Sequence, residues 1–269
     1  MTEAAGDRRE RVDILGVLVD RLDMTGALAA AAALIRSGGP AQVVTPNVDH
    51  LMRCRRGGEF ARLYRDADLV VADGMPLVWA SRLLGRPLPE RVAGSDLMPR
   101  LCALAAEHKY PVYLMGGKPG SAETCARILP QHHPGLVVAG WNCPDFGFEN
   151  DPEVNGRLIE DIRSTAPAIL FVGVGSPKQD IWIYRHRQEL GVPLALGIGA
   201  TIDFLSGAVK RAPAFTHRIG MEWLWRLLCE PRRLWRRYLV DDLPFFWLLA
   251  RQWARERFSR NPVDRKEAP

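Results

Sequence analysis

The sequence predicts an α/β fold: a Rossmann-like, mostly parallel sheet with helices on both faces, followed by a basic amphipathic helical C-terminal appendage. Three observations predict it. Short apolar, β-branched runs recur through the first two-thirds of the chain, separated by helix-like segments. The runs are continuously apolar rather than alternating, as strands read when both faces of a parallel sheet are covered. Glycines and polar residues gather where the runs stop, and open parallel sheets bind ligands beyond the carboxyl ends of their strands.

The elements follow in order. Residues 12–19 are apolar and β-branched and read as a first strand. Thr25 can cap a helix running through the alanine-rich stretch to Ile35, which Gly38-Gly39 stops. Residues 42–45 form a strand ending in Pro46-Asn47, and 69–72 another ending at Asp73-Gly74. Residues 112–115 run into Gly116-Gly117, with a helix over 121–129. Residues 136–139, 168–174 and 193–198 supply the remaining buried strands. From about Phe204 the pattern changes. The chain therefore divides into an α/β domain over 1–205 that carries the chemistry and an arginine- and tryptophan-rich helical appendage over 206–269.

Composition narrows the function. With 47% hydrophobic and 25% charged residues in 269, the chain is an ordinary folded protein rather than a disordered or collagen-like one. Its five cysteines are scattered, with no C-x-x-C pair, which argues against a zinc or disulfide framework and for a reducing compartment. The first residues are charged and lack the apolar core of a secretory signal. Uncharged apolar runs such as 166–177 and 191–202 are about 12 residues long, short of the roughly 20 that span a bilayer. A cytoplasmic protein is expected.

The net charge of +5 is unevenly placed. Residues 205–269 hold 14 Lys/Arg against 7 Asp/Glu, and the rest of the chain 22 against 24. Five of the eight tryptophans are in the same basic segment. On a helical wheel Arg218, Arg226, Arg232, Arg233, Arg236 and Arg237 fall in one arc and Leu224, Leu227, Leu228, Leu234 and Trp235 opposite, with Pro231 dividing two helices. That is the pattern of a helix lying on an anionic membrane. A solvated face or a nucleic-acid patch would carry the same arginines, but eleven aromatic residues from Phe204 to Phe258 argue against a purely solvated one.

Several segments could carry chemistry. Gly116-Gly117-Lys118-Pro119-Gly120-Ser121 follows a strand and precedes a helix. It reads either as a phosphate cradle, where glycines admit an anion to the backbone and a helix N-terminus faces it, or as a tight turn. Asp73 could accept a proton from a hydroxyl, or cap the helix starting near Pro76. Asp66-x-Asp68 matches a metal-binding D-x-D but precedes a strand, so it reads as a solvated helix end. The six histidines lack metal-ligand spacing. Asp203, in the 197–204 glycine segment, suits a ribose or base edge, or a turn cap. No G-x-G-x-x-G, G-x-S-x-G or Walker A string occurs, which counts against a nicotinamide oxidoreductase.

Eight strings in order resemble the WecG/TagA/CpsF glycosyltransferases (glycosyltransferase family 26): TPNVDHL (45–51), ADGMPLVW (72–79), ERVAGSDL (90–97), GGKPGS (116–121), FVGVGSPKQD (171–180), GIGATIDFLSG (197–207), KRAP (210–213) and GMEWLWRL (220–227). Asp180 departs from the pattern, which has glutamate there. The resemblance implies an inverting transfer, without metal or cofactor, of a sugar from a UDP-sugar to a polyprenyl (undecaprenyl) diphosphate-linked saccharide for cell-surface polysaccharide. N-acetylmannosamine is the expected sugar, with glucose or a uronic acid as the alternative. It places Asp73 on the general base and Thr45, Asn47 and Gln179 in the catalytic pocket. Substrate contacts are expected from Arg91, Gly94, Ser95, Gly116, Gly117, Pro119, Gly120, Ser121, Gly173, Gly175, Lys178, Gly199, Asp203 and Arg211. Arg218, Arg226, Arg233, Arg236 and Arg237 are expected at the lipid diphosphate and the inner face of the cell membrane. A nucleic-acid-binding protein is the remote alternative, and the sequence leaves homo-oligomerisation open.

Overall fold

The structure is a computed structural model that describes residues 9–209, 227, 231–236 and 240–259. The chain opens with an antiparallel hairpin, β1 (Arg11–Ile14) and β2 (Val17–Asp20). Residues 12–19 are thus two strands rather than one. Leu15 (φ 54°) and Gly16 (φ 90°) turn the chain between them, and Asp13 accepts the Gly16 N–H at 2.7 Å. Helix α1 (Met24–Ser37) is capped by Asp23, not Thr25: the Asp23 carboxylate accepts from Gly26 N–H. Gly38, in the left-handed region, ends the helix as expected.

Next come β3 (Ala41–Val44), α2 (Val48–Arg55), α3 (Gly58–Arg65), β4 (Leu69–Val70), α4 (Met75–Leu83) and α5 (Gly94–His108). Then follow β5 (Val112–Gly116), α6 (Ser121–His132), β6 (Val138–Asn142), α7 (Pro152–Ser164), β7 (Ile169–Gly173), α8 (Lys178–Leu190), β8 (Leu194–Gly197) and α9 (Thr201–Leu205). Two C-terminal helices are described, α10 (Pro231–Arg236) and α11 (Pro244–Ser259). Strands β3 to β8 form one parallel sheet in the order β4-β3-β8-β7-β5-β6.

Alternate residues of each inner strand enter different cores, which is why the strands read as unbroken apolar runs. Val112, Leu114, Ile169, Phe171, Leu194 and Leu196 meet α1, α5 and α6 on one face. Tyr113, Met115, Leu170, Val172 and Ala195 meet α7 and α8 on the other. A third core joins Val44 and Val70 to the hairpin, α2, α3, α4 and α11.

The hairpin also finishes the sheet. Strand β4 is an edge strand, and Asp20 of β2, 1% exposed, accepts the Val70 N–H at 2.8 Å. Its other carboxylate oxygen takes the Arg11 guanidinium at 2.8 Å. The buried charge is thus paired and the edge amide satisfied.

Candidate active site

The strand order lines up the loops at the carboxyl edge: Asp73 after β4, Thr45 to Asn47 after β3, Gly197 to Gly199 after β8, 173–179 after β7, and 116–121 after β5. At ~4.8 Å per strand step, Asp73 and the 116–121 loop stand roughly 19 Å apart.

Asp73 is not a helix cap. Gly74 (φ 111°) precedes α4 and no side chain caps that helix. The Asp73 N–H donates to Pro46 O at 2.8 Å, fixing the residue beside β3. Arg91 holds the side chain: Nη1 is 3.5 Å from Asp73 Oδ1, while Nη2 donates to Asp96 Oδ2 at 2.6 Å. The Arg91 side chain is 13% exposed and the Asp73 side chain 31%, so a half-buried cation steadies a partly exposed carboxylate.

Gly94, the first residue of α5, lies over the ends of β3 and β8. A Cβ there would stand 3.4 Å from Thr45 Oγ1 and 3.5 Å from Gly197 O, so glycine lets the helix start, with Ser95 next, settle on the ends of β3 and β8. Asn47 is the N-cap of α2. Its side chain accepts from His50 N–H at 3.4 Å and its own N–H donates to His50 Nδ1 at 3.0 Å, a capping box closed by histidine rather than glutamate. His50 Nε2 lies 2.7 Å from Ser176 Oγ.

Gln179 and Asp180, in the first turn of α8, are buried. Gln179 Oε1 accepts the Gly199 N–H at 3.1 Å. A Cβ on Gly197 would fall 2.4 Å from Gln179 Nε2 and 2.6 Å from Asp180 Oδ1, so Gly197 is the space these two side chains occupy. Burial pushes the Asp180 carboxyl up to about 7, against the pull of hydrogen bonds from Ser176 and Gln179.

The glycines after β5 divide by role. Cβ atoms on Gly116 and Gly117 would meet Gly173 C and O at 2.6 Å and Ile202 Cγ2 at 2.8 Å, so these two permit close packing. Gly173 is likewise closed in by Gly199 O at 2.9 Å. Gly120, Gly175 and Gly199 have positive φ and open space where a Cβ would stand. Much of the loop's hydrogen bonding is internal. Gly117 N–H donates to Gly173 O and Ser121 N–H to Lys118 O. Lys118 N–H donates to Asp203 Oδ1 at 2.7 Å. Asp203 therefore braces the segment holding Pro119, and Ser121 is buried against the Ser206 hydroxyl. Lys178 pairs with Glu149 at 3.0 Å and lies over the Phe146 ring.

Asp66 accepts from the Tyr184 hydroxyl and Asp68 from Gln42 N–H, so both acids of the D-x-D string have structural partners. Arg211, Arg218, Arg226 and Arg237 lie outside the described residues, as does the side chain of Arg233. Arg236 is exposed on α10. Helix α11 buries Phe245 and Leu249 against the hairpin. It is held there by Gln252, which accepts from Leu15 N–H at 2.9 Å and donates to Asp13 O at 2.9 Å.

Asp73, Thr45, Asn47, Arg91, Gly94, Gln179 and Gly199 thus gather around the ends of β4, β3 and β8, while Gly116 to Ser121 and Asp203 form a neighbouring group beyond β7. Sequence reasoning missed His50. Its only signal was the three-residue spacing from Asn47, which a search for metal ligands passes over.

Residues 12–259 match the family described as "Glycosyl transferase WecG/TagA/CpsF family". An N-acetylglucosaminyldiphosphoundecaprenol N-acetyl-beta-D-mannosaminyltransferase of Bacillus spizizenii is 34% identical over 198 residues, covering 73% of this chain and 74% of that protein. Among the described residues, no helix is long and apolar enough to cross a membrane.

Proposed function

Because the chain belongs to the WecG/TagA/CpsF family and is a glycosyltransferase, we propose that it transfers N-acetylmannosamine from its UDP-sugar to a polyprenyl-diphosphate-linked saccharide, with inversion and without a metal. Asp73 carries this reading. It is a partly exposed carboxylate at the carboxyl edge, freed from capping and steadied by Arg91. Asp73 takes the proton from the acceptor hydroxyl as that oxygen attacks the anomeric carbon, a role worth ~10²–10⁴-fold. UDP departs on the opposite face, toward β7 and β5, where Gly175 and Gly120 let an anion approach the backbone. The roughly 19 Å between Asp73 and the 116–121 loop lets an extended sugar nucleotide lie along the edge, sugar at β3 and β4 and nucleotide toward β5.

The acceptor's lipid requires work at a membrane surface. Helix α11 supports docking from the described residues. With Phe245 and Leu249 turned inward, Trp247, Ala250, Ala254 and Phe258 form an outward stripe at helical spacing. Trp247 is 63% and Phe258 83% exposed, and exposed Arg251, Arg255 and Arg257 flank the stripe. Aromatic and basic side chains together suit an anionic headgroup layer.

The test is a panel of UDP-sugars with a short-chain polyprenyl-diphosphate N-acetylglucosamine acceptor, read by mass spectrometry. A disaccharide-lipid from UDP-N-acetylmannosamine alone supports the proposal. Turnover of UDP-glucose instead corrects the donor, and no transfer from any UDP-sugar overturns the reading.

A further inference from the structure

We infer that Asp96 is a positioning residue for the proposed general base: it takes the hydrogen bond of the Arg91 guanidinium, so that Arg91 lends Asp73 its charge without clamping the carboxylate. The inference rests on the reading above, in which Asp73 takes a proton from the acceptor hydroxyl.

Two distances on one guanidinium carry it. Arg91 Nη2 donates to Asp96 Oδ2 at 2.6 Å, whereas Nη1 stands 3.5 Å from Asp73 Oδ1. Charge-assisted N–H···O bonds run to about 2.7–2.9 Å. The arginine is therefore hydrogen-bonded to Asp96 and acts on Asp73 through its charge. Unequal exposure does not explain the division, because the Asp73 side chain is 31% exposed and that of Asp96 32%.

The backbone sets the frame. Val92 N–H donates to Ala72 O at 2.8 Å, which lays the Arg91 segment beside the end of β4, and Asp73 N–H is tied to Pro46 O. Asp96 stands in the first turn of α5. Gly94 seats the start of that helix on Thr45 and Gly197, and the neighbouring Leu97 and Met98 are fully buried. Neither acid can move toward the arginine by a main-chain shift without breaking these contacts, so side-chain rotation apportions the guanidinium. An acid in the first turn also complements the helix dipole, but that role needs no arginine and touches stability alone.

The division suits a base. A nearby cation favours the ionised carboxylate, the form that must be present before reaction. Two parallel bonds from the guanidinium fork would go further, engaging both carboxylate oxygens and weakening Asp73 as a proton acceptor. With Asp96 neutralised, Nη2 loses its charge-assisted bond and Arg91 closes on Asp73.

The experiment measures kcat, KM for the donor and UDP affinity for the full chain. Asp96→Asn keeps the shape and removes the charge. It is expected to lower kcat roughly tenfold, part of the ~10²–10⁴ that a base supplies, with donor KM and UDP affinity within about twofold. Asp96→Glu, which keeps the charge, recovers part of the rate. In the Asp73→Asn background Asp96→Asn costs nothing further, because the group through which it acts is gone. Three results overturn the inference: Asp96→Asn with near-normal kcat, Asp96→Asn losing rate and UDP affinity together, or the same loss with Asp73 already replaced. Asp73→Asn separates the two levels. Near-normal turnover by that variant removes the base and this inference with it, while a slow Asp73→Asn beside a normal Asp96→Asn removes the inference alone.

Discussion

At Asp73 two uses of one side chain competed in the sequence, and geometry decides between them. The glycine that follows takes the cap position at φ 111° and leaves the carboxylate to Arg91. Asp73→Asn is therefore expected to lose transfer by about 10²-fold or more while binding UDP as before, measured by steady-state rates and calorimetric titration. Near-normal turnover would remove Asp73 from the base role. Asp180 makes a separate claim on stability. Burial pushes its carboxyl from 3.8, the value of a free one, up to about 7. Below the lower value both states are protonated. Between the two the unfolded chain releases a proton that the folded one keeps, so stability drops as pH rises, and the full penalty stands above about 7. Asp180→Asn should raise the melting temperature at pH 8, by about 1–3 kcal/mol of stability or roughly 2–4 °C for each, and the gain should vanish toward pH 4. A gain that grows on acidification contradicts the burial account. The position of Asp73 after an apolar run was legible in the sequence. The contact of His50 with Ser176 was not, because the two residues lie 126 positions apart.

Among elements, the parallel strands were readable because both faces of each are covered, and the glycine-rich loops because strands end there. The hairpin was not. Its two strands are alike in composition, and only Gly16 marks the turn between them. Glycine itself proved ambiguous until packing was visible. Gly116→Ala puts a Cβ 2.6 Å from the Gly173 backbone at φ 106°, and should destabilise by about 1–3 kcal/mol. Gly156→Ala, exposed inside α7 with open space around it, should stabilise by about 0.5–1 kcal/mol. Urea titrations of the two variants test the contrast. Equal shifts would mean that the strand end relaxes and that Gly116 serves the ligand instead.

For the molecule as a whole, the charge imbalance was plain in the sequence, and α11 gives part of it a place. Trp247→Ala combined with Phe258→Ala is expected to weaken sedimentation with anionic vesicles severalfold and leave turnover of a water-soluble acceptor intact. Raising salt should weaken vesicle binding further. Undiminished sedimentation would move the docking surface elsewhere. Transfer should also continue in excess EDTA, and strict dependence on added magnesium or manganese contradicts a metal-free reaction.

Gln252 fastens α11 to the turn of the first hairpin, and Phe245 and Leu249 seal that hairpin's inner side. The hairpin is thus completed only by a helix made more than two hundred residues after it. On a ribosome adding roughly 5–20 residues per second, its apolar underside waits some tens of seconds for its lid to be made. Over that interval the nascent protein carries a sticky hairpin that a chaperone could shelter, and removing α11 would return the finished enzyme to that state.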